Sequence, residues 1–227
     1  MKYLVFFFVL VTTSLMAQPN YKNYDAFLQK YVSSSGKVNY KKIKKSETEA
    51  LVKEFQAATP QKSWSKNEQL AYWLNAYNLF TVQLIVEHYP VAKITDLDKG
   101  KPWDVKRIDL GGKKYSLNDL ENEVIRPTFK DARIHFAINC AAKSCPPLYN
   151  KAFTSDKVQS LLDVRTKAFL TSKSNTLAEK KVKISKIFDW YKADFGELTA
   201  FLSKYSTVKV VKDAVVEFGE YDWGLNE

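Results

Sequence analysis

The stretch "SWSKNEQLAYWLNAYNLFTVQLIVEHYP", residues 63–90, decides the architecture. Ser65 has the side chain of an N-cap. Glu68, three positions on, completes a capping box, in which the serine oxygen accepts from one orphan amide and the glutamate from another. Pro90 cannot continue a helix and ends it. Between them Leu70, Trp73, Leu74, Tyr77, Leu84 and Ile85 mark the buried face, and apolar residues run around most of the girth, which places this helix inside the protein. Glu68, Tyr72 and Asn75 fall near one azimuth, because steps of four and seven residues nearly complete whole turns, and Asn78 lies beside them. Buried polar groups need partners. Two readings stand: Glu68 caps the helix while the asparagines bond neighbouring loops, or Glu68 and Asn75, with Tyr72 and Asn78, line a cleft.

Working outward, Tyr24, Phe27, Leu28 and Tyr31 recur at helical spacing over residues 22–33, and a more polar helix is expected over 45–58. After Pro90 the texture changes. "DVKRIDLGGKKYSL" predicts a hairpin about Gly111-Gly112. "SLNDLENEVIRP" predicts a short helix capped by Ser116 and stopped before Pro127. "ARIHFAIN" alternates, and predicts a strand with Ile134, Phe136 and Ile138 on one face and Arg133, His135, Ala137 and Asn139 on the other. "SDKVQSLLDVRTKAFL" and "SKIFDWYKADFGELTAFLSKY" predict amphipathic helices, with "KKVKIS" a strand between them. "TVKVVKD" and "AVVEFGEYDW" are expected to close the sheet as a pair. The class is α+β: one domain over residues 18–227, with several helices on a small, mostly antiparallel sheet.

Residues 1–17 are expected to be a secretory signal peptide. Lys2 is followed by an apolar run of about 9 residues, against the ~20 a spanning helix needs, and small residues end it near Ala17. The mature chain is then expected to be soluble, in a periplasm or outside the cell. The 35 lysines and arginines against 25 acids leave a net charge of +10. The lysines are scattered, without a nucleic-acid motif, and read as a solvated surface with at most weak attraction to anionic envelope components. Nucleic acid is not an expected partner.

The chemistry concentrates in "RIHFAINCAAKSCPPLYN", residues 133–150, which holds both cysteines and one of two histidines. A chain with two cysteines in an oxidising compartment tends to pair them, and the short loop between Cys140 and Cys145 can bring them within range. A free thiol, a reversible redox pair and a metal site are the alternatives. A catalytic thiolate needs a base nearby, which His135 supplies. Strand alternation points Cys140 away from His135, so Cys145 is the better nucleophile. No fourth ligand accompanies His135, Cys140 and Cys145, and no metal is expected. His88 reads as a C-terminal cap of the long helix. No Gly-x-Ser-x-Gly elbow, phosphate-cradling loop or dinucleotide fingerprint occurs, and no cofactor is expected.

Four segments, "NEQLAYWLNAYNLF", "YSLNDLENEVIRP", "DARIHFAINCAAKSCPPLYN" and "ISKIFDWYKADFG", with the terminal "YDWGLN", give a resemblance to the bacterial and plant domain-of-unknown-function family numbered 547. The resemblance implies no established activity. It implies a site built from Glu68, Asn75 and Asn78 on the long helix, Glu121 and Arg126 on the short helix, and His135, Cys140 and Cys145. Where members of the family often carry a histidine after the glutamate of "SLNDLE", this chain has Asn122. A long helix followed by a sheet with a mid-strand histidine is also similar to the papain and transglutaminase arrangement. There the nucleophilic cysteine begins the helix, whereas Ser65 to Leu70 hold none. Two functions are therefore carried forward. One is a ligand- or partner-binding module with a polar Glu/Asn/His/Cys cleft. The other is a cysteine-dependent hydrolase or transferase acting on an amide- or ester-like group, with Cys145 as nucleophile, His135 as base and Glu68 or Asn75 as orienting group.

Overall fold

The structure, a computed structural model, describes residues 20–227. The leader expected over residues 1–17 lies outside the described residues. Among the described residues no helix is long and apolar enough to cross a membrane.

The long helix α3 runs Lys66–His88, and the capping box of Ser65 and Glu68 forms at its start. From Leu70 to Val86 only Trp73 and Gln83 are not fully buried. It is the axis of the main core. Helices α1 (Lys22–Tyr31) and α2 (Lys45–Ala57) pack Tyr24, Phe27, Leu28, Leu51, Val52 and Phe55 into the same core. The hairpin β1 (Ile108–Leu110) and β2 (Lys113–Tyr115) turns on Gly111 and Gly112, both at positive φ, the conformation a tight two-residue hairpin loop requires.

Ser116 and Asp119 exchange backbone and side-chain hydrogen bonds and start the next helix. This helix does not stop before Pro127. Residues Asp119–Ile125 form a π-helix that continues into α4 (Arg126–Phe129) through the proline. The Arg126 amide bonds back to Glu121 O, five residues away, so the ladder is already widened where Pro127 removes its donor. Lys130, in the left-handed region, ends it.

The second half holds α5 (Val158–Leu170), β3 (Thr176–Leu177), β4 (Lys181–Ile184), α6 (Ile187–Trp190), α7 (Leu198–Tyr205) and β5 (Val215–Phe218). β3 and β4 are antiparallel, while β4 and β5 are parallel. The class is α+β, with one two-stranded and one three-stranded sheet. A second hydrophobic core of Phe136, Phe169, Val182, Ile184, Phe188, Phe195 and Leu202 sits beneath these elements.

Three further local expectations are corrected. "ARIHFAIN" is not a strand: Ala132–Phe136 is a 3-10 turn, begun by the Asp131 side chain accepting from the Arg133 amide. Three residues per turn send Ile134 into the main core and Phe136 into the second, which alternation cannot do. The helix expected over 185–205 is broken. Gly196 at φ +60 separates the 3-10 turn Lys192–Asp194 from α7, whose N-cap Glu197 accepts from the amides of Thr199 and Ala200. Finally, "TVKVVKD" is not a strand. The Val210 amide bonds to Ser203 Oγ and the Val211 amide to Glu179 O, so its backbone is used elsewhere and β5 pairs with β4.

Candidate functional site

The site lies on the seam between the two cores. The 3-10 turn crosses that seam and carries His135, which is only 3% exposed. On one side His135 Nε2 is 2.7 Å from Asp194 Oδ2. Asp194 takes a bidentate pair from Arg126, at 2.7 Å from Nε and 2.9 Å from Nη2. The Arg126 hydrogen bonds, opposed in part by burial and helped by His135, hold the Asp194 carboxyl below the usual carboxylate range. Arg126 Nη1 donates to Asn122 Oδ1 at 2.7 Å, so Asn122 anchors the guanidinium one turn back on its own helix. The Tyr191 ring lies between these groups, 3.9 Å from the His135 ring and 5.0 Å from the guanidinium.

On the other side His135 Nδ1 faces Glu121 Oε1 at 3.6 Å, beyond hydrogen-bond length. This nitrogen is buried and has no hydrogen-bond partner. Glu121 is 4% exposed and comes from the π-helical segment. Insertions of this kind re-aim side chains and recur at functional sites. The phenols of Tyr77 and Tyr191 lie within electrostatic reach of the Glu121 carboxylate. Burial, and then the Glu121 charge, raise the phenol pKa values of Tyr77, Tyr191 and Tyr221, so all three remain protonated donors at neutral pH.

Glu121 and His135 open onto a cleft of about 180 Å³, room for several waters or a small organic group but not for a folded partner. Its rim is aromatic. Trp223 is 5.4 Å from Trp103, 5.7 Å from Trp190 and 4.6 Å from Tyr221, centroid to centroid. Trp190 is 46% exposed, unusual for so large a ring. The C-terminal segment is pinned to the loop between the cysteines: the Lys143 amide bonds Gly224 O and the Asn226 amide bonds Ala141 O.

Cys140 and Cys145 form a disulfide in the cleft wall, with Cα atoms 6.2 Å apart. Both cysteines of the chain are in that bond. The Tyr221 hydroxyl is 3.1 Å from Cys145 Sγ and 3.3 Å from Cys140 Sγ, and the Cys140 amide is 3.1 Å from Cys145 Sγ. Only in a strand would Cys140 point away from His135. With the 3-10 turn in its place, both sulfurs line the cleft with His135.

The remaining expected residues are placed elsewhere. Glu68 is in the capping box at the far end of α3, where its charge also acts on Tyr21. Asn75 exchanges hydrogen bonds with the backbone of Phe153 at 2.8 and 2.9 Å. Asn78 does the same for Ala137 O and the Asn139 amide. Asn139 bonds Pro146 O and the Ala141 amide, and Tyr72 bonds Phe55 O. These groups lie outside the cleft lining, and the three asparagines hold the loop backbone that leads to it. His88 Nδ1 lies 2.9 Å from Leu84 O in the last turn of α3. Among the described residues no group of three or more His, Cys, Asp or Glu is placed to hold a metal ion. Asp194, Tyr191, Tyr221 and the three tryptophans were not singled out from sequence. For all of these but Trp103 the signal was the aromatic density of "IFDWYKADFG" and "YDWGLN".

The molecule is thus an α+β protein with a Glu–His–Asp–Arg cluster, buried at Glu121 and His135 and part-exposed at Asp194 and Arg126, beside a disulfide-walled, tryptophan-rimmed cleft. The model of the family described as "Protein of unknown function, DUF547" matches residues 61–170, and that segment is a domain of this family. It spans α3 to α5 and includes Glu121, Arg126, His135 and the disulfide. Asp194 and most of the aromatic rim lie beyond its end. Searches of curated proteins and of solved structures return no match.

Proposed function

We propose that the chain is a binding module of the periplasm or cell exterior whose cleft takes a small ligand at the Glu121–His135 pair. One observation carries this reading: His135 Nδ1 is buried, has no hydrogen-bond partner, and faces a buried carboxylate across 3.6 Å at the floor of an aromatic-lined cleft. A buried polar atom without a partner costs about 1–3 kcal/mol. Such a site persists where a bound group supplies what is missing. Apolar walls with a few convergent polar groups are the usual make-up of a small-molecule site. The expected leader over residues 1–17 supports the compartment, and the disulfide is compatible with it. The scattered lysines add at most a weak attraction to anionic envelope components.

The test is a fragment screen read by the indole N–H resonances of Trp103, Trp190 and Trp223. Hits that shift these three and lose affinity in His135→Asn support the reading. A screen whose hits all leave them unmoved contradicts it.

A second reading has its own observation. Cys145 Sγ receives the Tyr221 hydroxyl and the Cys140 amide, each at 3.1 Å. If an external dithiol reduced the bond and left as its disulfide, a Cys145 thiolate would keep both donors beside His135, which is the arrangement of a thiol hydrolase or transferase acting on an amide- or ester-like group. Alkylation of the reduced protein separates the readings. A Cys145 that reacts fast near neutral pH, and slows in Tyr221→Phe, favours the enzyme; an ordinary thiol favours binding.

A further inference from the structure

We propose that the group seated between Glu121 and His135 is a primary ammonium, so that the ligand class of the cleft is an alkylamine or an amine-bearing side chain. This deepens the binding reading and rests on it. The argument begins with the ring tautomer. Asp194 is a carboxylate held by Arg126 and can only accept, so the hydrogen of a neutral His135 lies on Nε2, 2.7 Å away. Nδ1 is then an acceptor. Across the gap Glu121 Oε1 is an acceptor as well. Two buried acceptors face each other and neither brings a hydrogen. A proton on His135 does not bridge them, because 3.6 Å exceeds hydrogen-bond length.

The missing group must donate to both and carry little that needs accepting. A hydroxyl has one hydrogen and adds lone pairs to a site already rich in them. An ammonium has three hydrogens and no lone pair. A nitrogen at about 2.9 Å from each atom lies beside the line that joins them, not on it, and reaches the buried Nδ1 once the side chains that cover it move aside. It also offsets the Glu121 charge. Arg126, whose charge is felt at Glu121, is already committed to Asp194 and Asn122. The phenol oxygens that line the cleft are acceptors for the third hydrogen. The rim fits the rest of such a molecule: methylenes lie along Trp103, Trp190 and Trp223, and ring faces attract a cation within about 6 Å.

The experiment titrates the full mature chain with hexylamine, 1-hexanol and hexyltrimethylammonium, read by the same three indole resonances. Hexylamine is expected to bind at least about tenfold more tightly than 1-hexanol and than the trimethyl cation, which has no hydrogen to give. Glu121→Gln is expected to weaken hexylamine about tenfold more than it weakens 1-hexanol. Equal binding of hexylamine and 1-hexanol overturns the ammonium assignment and leaves the cleft standing as a binding site. Equal binding of the trimethyl cation overturns it too, through the donor requirement. No shift of the three indoles with any probe overturns both. The three probes on the wild-type chain keep the result independent of whether Glu121→Gln folds.

Discussion

His135 Nε2 lies 2.7 Å from Asp194 Oδ2, and this contact ties the 3-10 turn of one core to the broken helix of the other. It fixes the imidazole tautomer and leaves the second ring nitrogen for the cleft. Asp194 is the hub, since Arg126 reaches the same carboxylate from the π-helical segment.

Asp194→Asn therefore lowers stability in a pH-dependent way. The folded-state pKa of Asp194 is depressed, chiefly by the Arg126 hydrogen bonds. A depressed carboxylate contributes stability above its unfolded pKa, near ~3.9, and loses it as pH falls through the lower folded value. Wild type should exceed Asp194→Asn by about 1–3 kcal/mol at neutral pH. The gap should begin to narrow below about pH 4 and go on narrowing as pH falls toward the lower folded value. Urea unfolding midpoints across pH measure this. A gap that stays constant down to pH 2 would refute it.

The two cysteines should be silent toward maleimide in urea without reductant, and should take two labels after reduction, by intact mass. The loop they close has a sequence separation of 5. Chain entropy for so short a loop gives about 2 kcal/mol, and the Cys140→Ala/Cys145→Ala pair should lose about that much. Labelling without reductant would show the bond to be absent.

Asn78→Ala should cost about 2–4 kcal/mol, because it leaves both Ala137 O and the Asn139 amide buried without their partner. A residue that only lined a binding face would cost far less. Thermal unfolding separates the two, and a loss under about 0.5 kcal/mol, the usual range for surface substitutions, would argue for the ligand-facing role.

The long helix was legible in the sequence because its signals are local: the Ser65–Glu68 box, Pro90 and an apolar girth. The Gly111-Gly112 hairpin was legible for the same reason. Among site residues, the quoted segments pointed to Glu121, His135 and the cysteines. What they could not show was geometry set by distant chain. Period-two alternation in "ARIHFAIN" is equally the pattern of a turn that feeds two cores, and only the presence of the second core decides. Asp194 was hidden within a helical pattern that Gly196 interrupts. The asparagines of α3 were read as equal candidates for a cleft or for loop anchoring. Their partners, the backbones of Phe153, Ala137 and Asn139, lie some sixty to eighty residues away. That separation is beyond any periodicity argument.

The most direct test of the account is a crystal structure of the protein soaked in hexylamine. The account predicts the nitrogen within about 3 Å of both His135 Nδ1 and Glu121 Oε1, with the alkyl chain against the tryptophan rim. An occupied cleft with the nitrogen turned out to solvent, or a gap still empty at saturating amine, would contradict it.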